Sequence, residues 1–232
     1  MEPFKNLFNK KSIGDLGKQI TIVESTFDFK KFMSLVFDSE WKNRELKERL
    51  RHITLCLGKT LPSDFKKATD TLIAVSKASL ENRFEYLVLP DYIEVFGLDH
   101  WDIAVPALKE LTKSSTSEGA VRPFIIKDQA RMLATMLEWT QDKDVHVRRL
   151  ASEGCRPRLP WMIALPALKK DPTPILPILE ALKNDPERYV QLSVANNLND
   201  IAKDHPDLTL STAQKWKGTS KSTDWVVKHA CR

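Results

Sequence analysis

His146-Val147-Arg148-Arg149-Leu150-Ala151-Ser152-Glu153-Gly154-Cys155-Arg156-Pro157-Arg158-Leu159-Pro160-Trp161 is the stretch from which the fold is read. It places four arginines, one glutamate and one tryptophan in 16 residues, beside a thin apolar stripe. At the helical period of about 100° per residue, Val147, Leu150, Ala151 and Gly154 share one side. His146, Arg149, Glu153 and Arg156 share the other. One face is therefore expected to pack into a core while the opposite face presents guanidiniums around a carboxylate. A basic groove with an acid in it suits a polyanion on which chemistry is done.

The same pattern recurs downstream. His146-Val147-Arg148, Tyr189-Val190-Gln191 and Trp225-Val226-Val227 each place a valine after an aromatic ring or histidine. Each triplet follows an acidic turn: Asp142-Lys143-Asp144, Asn184-Asp185-Pro186 and Ser222-Thr223-Asp224. Val147 and Val190 are 43 residues apart, and Val190 and Val226 are 36 apart. Those intervals bracket HEAT-like helical hairpins of roughly 40 residues, whose second helix carries small residues for close packing. Ala151, Ala195 and Ala230 suit that role. The reading is an all-α solenoid of HEAT-like hairpins, one domain over residues 1–232, with a concave basic groove lined by the Arg149/Glu153 face. The segment from Trp225 to Arg232 is too short for a hairpin, so the last repeat reads as truncated or as a bare helix.

Helical stripes at i+3 and i+4 extend upstream. Phe29, Phe32, Met33, Val36 and Phe37 make one, Leu46, Leu50, Ile53 and Leu57 a second, and Phe65, Ala68, Leu72 and Val75 a third. Ser63-Asp64 after Pro62 reads as a helix start. Pro90-Asp91 opens a segment ending near Gly97, and a helix follows from about Trp101 to Thr112. A serine-rich break at Ser114-Ser115-Thr116-Ser117 precedes a long helical stretch to about Gln141. Seven of the 13 prolines lie between Pro157 and Pro186, where they start helices or fix turns. Only 7 glycines are present, and no region shows several alternating β-branched runs, which disfavours hairpin-rich β architectures.

Composition narrows the class further. Thirty-six basic residues against 31 acidic give a net charge of +5, modest for a soluble domain, so the clustering of charge says more than its total. Cys56, Cys155 and Cys231 are odd in number and lack CxxC spacing, so neither a disulfide framework nor a structural zinc site is expected, and a reducing cytoplasm is the default. The N-terminal residues lack the apolar stretch of a signal peptide, and no run of about 18 apolar residues can span a bilayer. His52, His100, His146, His205 and His229 are scattered and form no metal triad. No P-loop, dinucleotide fingerprint or nucleophile elbow is present.

Ser117-Glu118-Gly119-Ala120-Val121-Arg122-Pro123-Phe124, together with His146–Trp161, resembles the HEAT-like-repeat DNA alkylation-repair glycosylases, closer to their AlkC branch than to AlkD. The likeness takes in Asp99-His100-Trp101-Asp102 and the run from Tyr189 to Leu198. The resemblance implies excision of cationic N3-alkylated bases such as 3-methyladenine from double-stranded DNA. It also implies that the base is not flipped into a pocket, unlike the usual logic of base chemistry. No cofactor and no metal are implied, and a monomer is expected. Residue by residue, the motif's acid matches Glu118, the arginine and glutamate of the repeat helix match Arg149 and Glu153, and the closing tryptophan matches Trp161.

Each of these residues also has a plainer reading. Ser115-x-x-Glu118 fits a helix capping box, yet a fixed carboxylate also stabilises the oxocarbenium-like sugar left by a departing base and orients water. Arg149 and Glu153 fit an i,i+4 surface salt bridge contributing at most about 1 kcal/mol, although arginine before glutamate is the weaker order. Trp161 and Trp101 suit a core, and a tryptophan at a groove also stacks on a cationic base. Function is favoured for Trp161 and structure for Trp101. Glu118, Glu153 and Trp161 are thus the candidate catalytic set. Arg148, Arg149, Arg156, Arg158, Lys169, Lys170 and Lys228 are candidate DNA contacts. Asn197 joins them because Asn196 and Asn197 fall at the repeat positions of Glu153 and Gly154. The rival class is a non-catalytic HEAT-repeat module binding DNA or a protein, which has no need of acids and arginines converging on one face.

Overall fold

The computed structural model describes residues 3–78 and 83–232, and among them fourteen α-helices and no strand occur. The all-α, helical-repeat expectation is met. Met1 and Glu2 of the N-terminal reading lie outside the described residues, and Phe4–Leu7 form a 3₁₀ turn. The chain divides into two compact units, Met1–Ala120 and Val121–Arg232.

The first unit contains α1 (Lys10–Val23), α2 (Phe29–Val36), α3 (Leu46–Gly58), α4 (Phe65–Ala78), α5 (Val88–Phe96) and α6 (Trp101–Leu111). Short polar caps set where these helices begin. The Asn9 side chain accepts from the Lys11 and Ser12 amides to open α1. Asp28 accepts from Lys31 to open α2, and Asp64 accepts from Lys67 at 2.7 Å, so the helix start read at Ser63-Asp64 is correct. The three apolar stripes supply core: Phe32 and Val36, Ile53 and Leu57, and Ala68, Leu72 and Val75 are all fully buried. α3 packs on α5 and α4 on α6, while α1 packs on α2 and α4. The segment expected from Pro90 instead starts at Val88, with Pro90 inside the first turn of α5, where a missing N–H costs nothing.

The second unit contains α7 (Arg122–Lys127), α8 (Gln129–Trp139), α9 (Val145–Gly154), α10 (Pro166–Lys170), α11 (Leu176–Leu182), α12 (Arg188–Ala202), α13 (Pro206–Trp216) and α14 (Lys221–Ala230). The long helix expected to reach Gln141 is two helices. Asp128 leaves the helical region (φ −149°, ψ 88°) and its carboxylate accepts from the Arg131 amide, capping α8 anew. α8 packs on α9, α11 on α12 and α13 on α14, and the second members of these pairs lie side by side, α9 and α14 each against α12. Val147, Val190 and Val226, the valines of the three triplets, are fully buried on those second members. The third triplet is differently placed from the others. Ser220, not the Ser222–Asp224 turn, caps α14 by accepting from Thr223. α13 precedes α14 and packs on it, so the segment from Trp225 lies within the second helix of a helical pair.

Candidate active site

α9 forms because Asp144, in extended conformation (φ −82°, ψ 126°), accepts from the His146 amide at 2.8 Å. It ends at Gly154, because Pro157 and Pro160 cannot continue it. Val147, Leu150, Ala151 and Gly154 face the core as the periodicity requires. Gly154 has no room for a side chain: a Cβ there would meet Val121 Cγ2 at 2.6 Å and Met136 Cε at 2.9 Å. The opposite face is less open than expected. Glu153 is only 5% exposed, and Arg156 sits past the helix end, not on its outer face.

Burial of Glu153 is matched by charge. Arg156 Nη1 donates to its carboxylate at 2.6 Å and Arg149 Nη2 lies 3.5 Å away. Arg156 Nε also donates to Asp200 on α12 at 2.9 Å, and Lys203 reaches Asp200 at 3.4 Å. Burial opposes the charge on Arg156, but the Asp200 hydrogen bond and the Glu153 charge outweigh it and raise the guanidinium pKa. Arg149 also stacks over the Tyr189 ring, 5.1 Å from its centroid, and His146 meets that ring edge-on. The structure thus brings Arg149, Glu153 and Arg156 together. This is a buried alternating network, not an exposed i,i+4 pair.

Trp161 is the conformational outlier of this region. Among the described residues it alone, apart from glycine, has positive φ (66°), and it is 66% exposed. A non-glycine residue held there costs about 1–3 kcal/mol, and such strain gathers where function needs it. The segment that carries it is pinned by Arg122. That side chain is wholly buried and donates to the carbonyls of Gly154, Arg156 and Ile163 at 3.0, 2.8 and 2.5 Å. No role was expected for Arg122, although it stands in the quoted motif. An arginine before a helix-starting proline was the available signal.

The remaining candidates separate by accessibility. Asn197 is fully enclosed, its amide donating to Ser152 O at 2.7 Å. Arg156 is 8% exposed and tied to Glu153 and Asp200, so both side chains brace the interior. Arg148 is held bidentate on Asp185 at 2.6 and 3.1 Å, and that hydrogen bond raises its pKa. Arg158 grips Asp204 at 2.7 Å while remaining partly exposed, and the guanidinium depresses the Asp204 carboxyl. Lys170 and Lys228 are exposed and Lys169 is half-buried. Cys155 is buried and its thiol is pushed up to about 12 by burial, so it is an inert packing group.

Glu118 belongs to the first unit, in the turn between α6 and the boundary at Ala120. No helix starts there, so Ser115-x-x-Glu118 is not a capping box. The Thr116 hydroxyl donates to the Glu118 carboxylate at 3.0 Å. The turn is anchored by Ser117, which is buried and donates to Leu108 O at 2.8 Å. Trp101 is half-buried at the start of α6. Among the described residues no group of His, Cys, Asp and Glu is arranged to hold a metal ion.

Known proteins share this architecture. The family described as DNA alkylation repair enzyme matches residues 103–232. The Bacillus subtilis (strain 168) protein YhaZ, described as uncharacterized, is 44% identical over 232 residues, which is 100% of this chain and 64% of that protein. The structure of Pseudomonas fluorescens alkylpurine DNA glycosylase AlkC bound to DNA containing an abasic site analog superposes with a TM-score of 0.95 at 36% identity. That likeness again covers 100% of this chain and 64% of the other, so the chain spans under two thirds of the length of both relatives.

Proposed function

The chain belongs to the DNA alkylation repair enzyme family, and we propose that it is a DNA glycosylase acting on cationic N-alkylated bases, 3-methyladenine among them, in duplex DNA. Trp161 is the observation that carries this reading. A large indole held in strained backbone and 66% exposed is suited to stack on a positively charged base or on its sugar. The superposition on an alkylpurine DNA glycosylase bound to abasic DNA supports the reading.

The chemistry asks little of an acid catalyst. An N3-alkylated adenine already carries positive charge, so heterolysis of its glycosidic bond sends the bonding pair to the base nitrogen and the base departs neutral. The sugar is left as an oxocarbenium-like cation. Glu118 stabilises that cation as it develops and orients the water that adds to C1′, which then loses a proton. Glu153 keeps the Arg149 and Arg156 guanidiniums in place. Arg149, Arg158, Lys169, Lys170 and Lys228 meet phosphates, contacts that position the duplex without reading its sequence.

The test is release of free methylated base from alkylated duplex by the purified protein, followed by chromatography with mass detection. Base release above the uncatalysed rate, strongly reduced but still measurable in Trp161→Ala, is the expected outcome. Duplex binding without any base release would return the chain to the non-catalytic module class.

A further inference from the structure

We infer that Arg122 is the positioning residue of this site, the side chain that fixes how Trp161 and the Glu153–Arg156 pair are presented. The inference rests on the glycosylase reading for its meaning, but on geometry alone for its substance. Arg122 is the bulkiest fully buried side chain described, and burying a guanidinium is unfavourable unless its donors are met. Three of its partners are main-chain carbonyls from one short segment: Gly154 O at 3.0 Å, Arg156 O at 2.8 Å and Ile163 O at 2.5 Å.

Those carbonyls have separate jobs. Gly154 closes α9, so its carbonyl is one of the orphan acceptors at the negative end of the helix. It directly follows Glu153. Arg156 O belongs to the residue whose side chain holds Glu153 at 2.6 Å. Ile163 O lies two residues beyond Trp161. A single planar fork therefore clamps both ends of the segment that leaves α9 and returns after Trp161. The closure is completed by the Leu165 amide donating to Pro157 O at 3.2 Å. Val121, adjacent in sequence, fills the space against Gly154 where no Cβ fits, so two consecutive residues index the same segment. Positive φ at a tryptophan persists only where surroundings over-determine it, and this clamp supplies the determination. Lysine does not replace it, because one ammonium lacks the rigid multi-donor fork.

Arg122→Lys tests the inference in protein labelled with 5-fluorotryptophan, with the Trp161 fluorine line assigned by its loss in Trp161→Phe. The Trp161 line is expected to shift or broaden while those of the other tryptophans hold. Single-turnover excision should fall roughly 10–100-fold, as for a misplaced catalytic group, with duplex Kd changed no more than about threefold. In a Trp161→Ala background the same substitution should cost little further rate, since both act through one element. An unmoved Trp161 line, or fully multiplicative losses, would overturn the proposal and leave Arg122 as core filling.

Should Arg122→Lys fail to fold, hydrogen exchange in the wild-type protein decides. The Met162 and Leu165 amides should be protected to the level of α9, and exchange at open-loop rates would refute the clamp. The fluorine and exchange measurements do not need activity, so they judge Arg122 even if the wild-type protein releases no base.

Discussion

The turn that carries Glu118 and the helix end that carries Glu153 bury their carboxylates to different depths, Glu118 being half-buried and Glu153 5% exposed. Among the contacts of the Glu118 turn are a Thr116 hydroxyl on the carboxylate at 3.0 Å and a Ser117 hydroxyl on Leu108 O at 2.8 Å. Around Glu153 they are ionic and buried, running from Arg149 through Glu153 and Arg156 to Asp200 and Lys203. Neutral hydrogen bonds contribute about 1 kcal/mol each. Buried ion networks are costly to assemble and worse to break, because each member relies on the next. Glu118, the more accessible of the two, is the carboxylate we propose for the chemistry, and Glu153 the one we propose for architecture.

The largest effect is expected where the ionic region is cut. Arg156→Met leaves Glu153 with Arg149 and Asp200 with Lys203, so urea denaturation of the second unit should lose about 3 kcal/mol, the low end for a broken buried pair. A melt unchanged from wild type would mean that the network is not load-sharing, and the contrast between the two regions would collapse.

Next in size is the opposite cut. Glu118→Gln should lower single-turnover base release by about 10²–10³, roughly 3–4 kcal/mol of transition-state stabilisation. Its unfolding free energy should stay within the ~0.5 kcal/mol of an ordinary surface substitution. Release within a few-fold of wild type would transfer the catalytic assignment to Glu153.

The smallest effect sharpens which cations are available to DNA. Lys170→Gln should reduce the slope of log binding constant against log salt by about 0.9, the share of one phosphate. Arg148→Gln, whose guanidinium is already locked on Asp185, should leave that slope alone. Equal slopes in the two variants would show that internal pairing does not remove an arginine from the interface.

What the sequence made legible follows from what periodicity encodes. The stripes at Phe29–Phe37, Leu46–Leu57 and Phe65–Val75 became α2, α3 and α4 because apolar spacing reports a buried face directly. The core side of α9 was legible for the same reason. The break at Asp128 was not, since an aspartate reads equally well inside a helix or as its cap. Nor was the closing of the outer face, because Arg148, Arg156 and Arg158 meet aspartates 37, 44 and 46 residues away. Those intervals lie close to one repeat length. An arginine standing one repeat ahead of an aspartate was a usable signal. The capping-box reading of Glu118 failed because its spacing was right but no helix began there. Arg122 was passed over because nothing local marks an arginine that donates to carbonyls beyond position 150.

Those cross-repeat arginines also bear on how the second unit folds. A solenoid with apolar interfaces is a chain of nearly independent links, each adding its own increment. Here the α9 repeat carries three guanidiniums whose acids, Asp185, Asp200 and Asp204, arrive only with the α12 repeat. Until α12 docks, Glu153 offsets only part of the positive charge that the α9 repeat carries, and the excess disfavours its compact state. The two repeats are thus bound into one cooperative step, and fraying from either side stops where the charges meet.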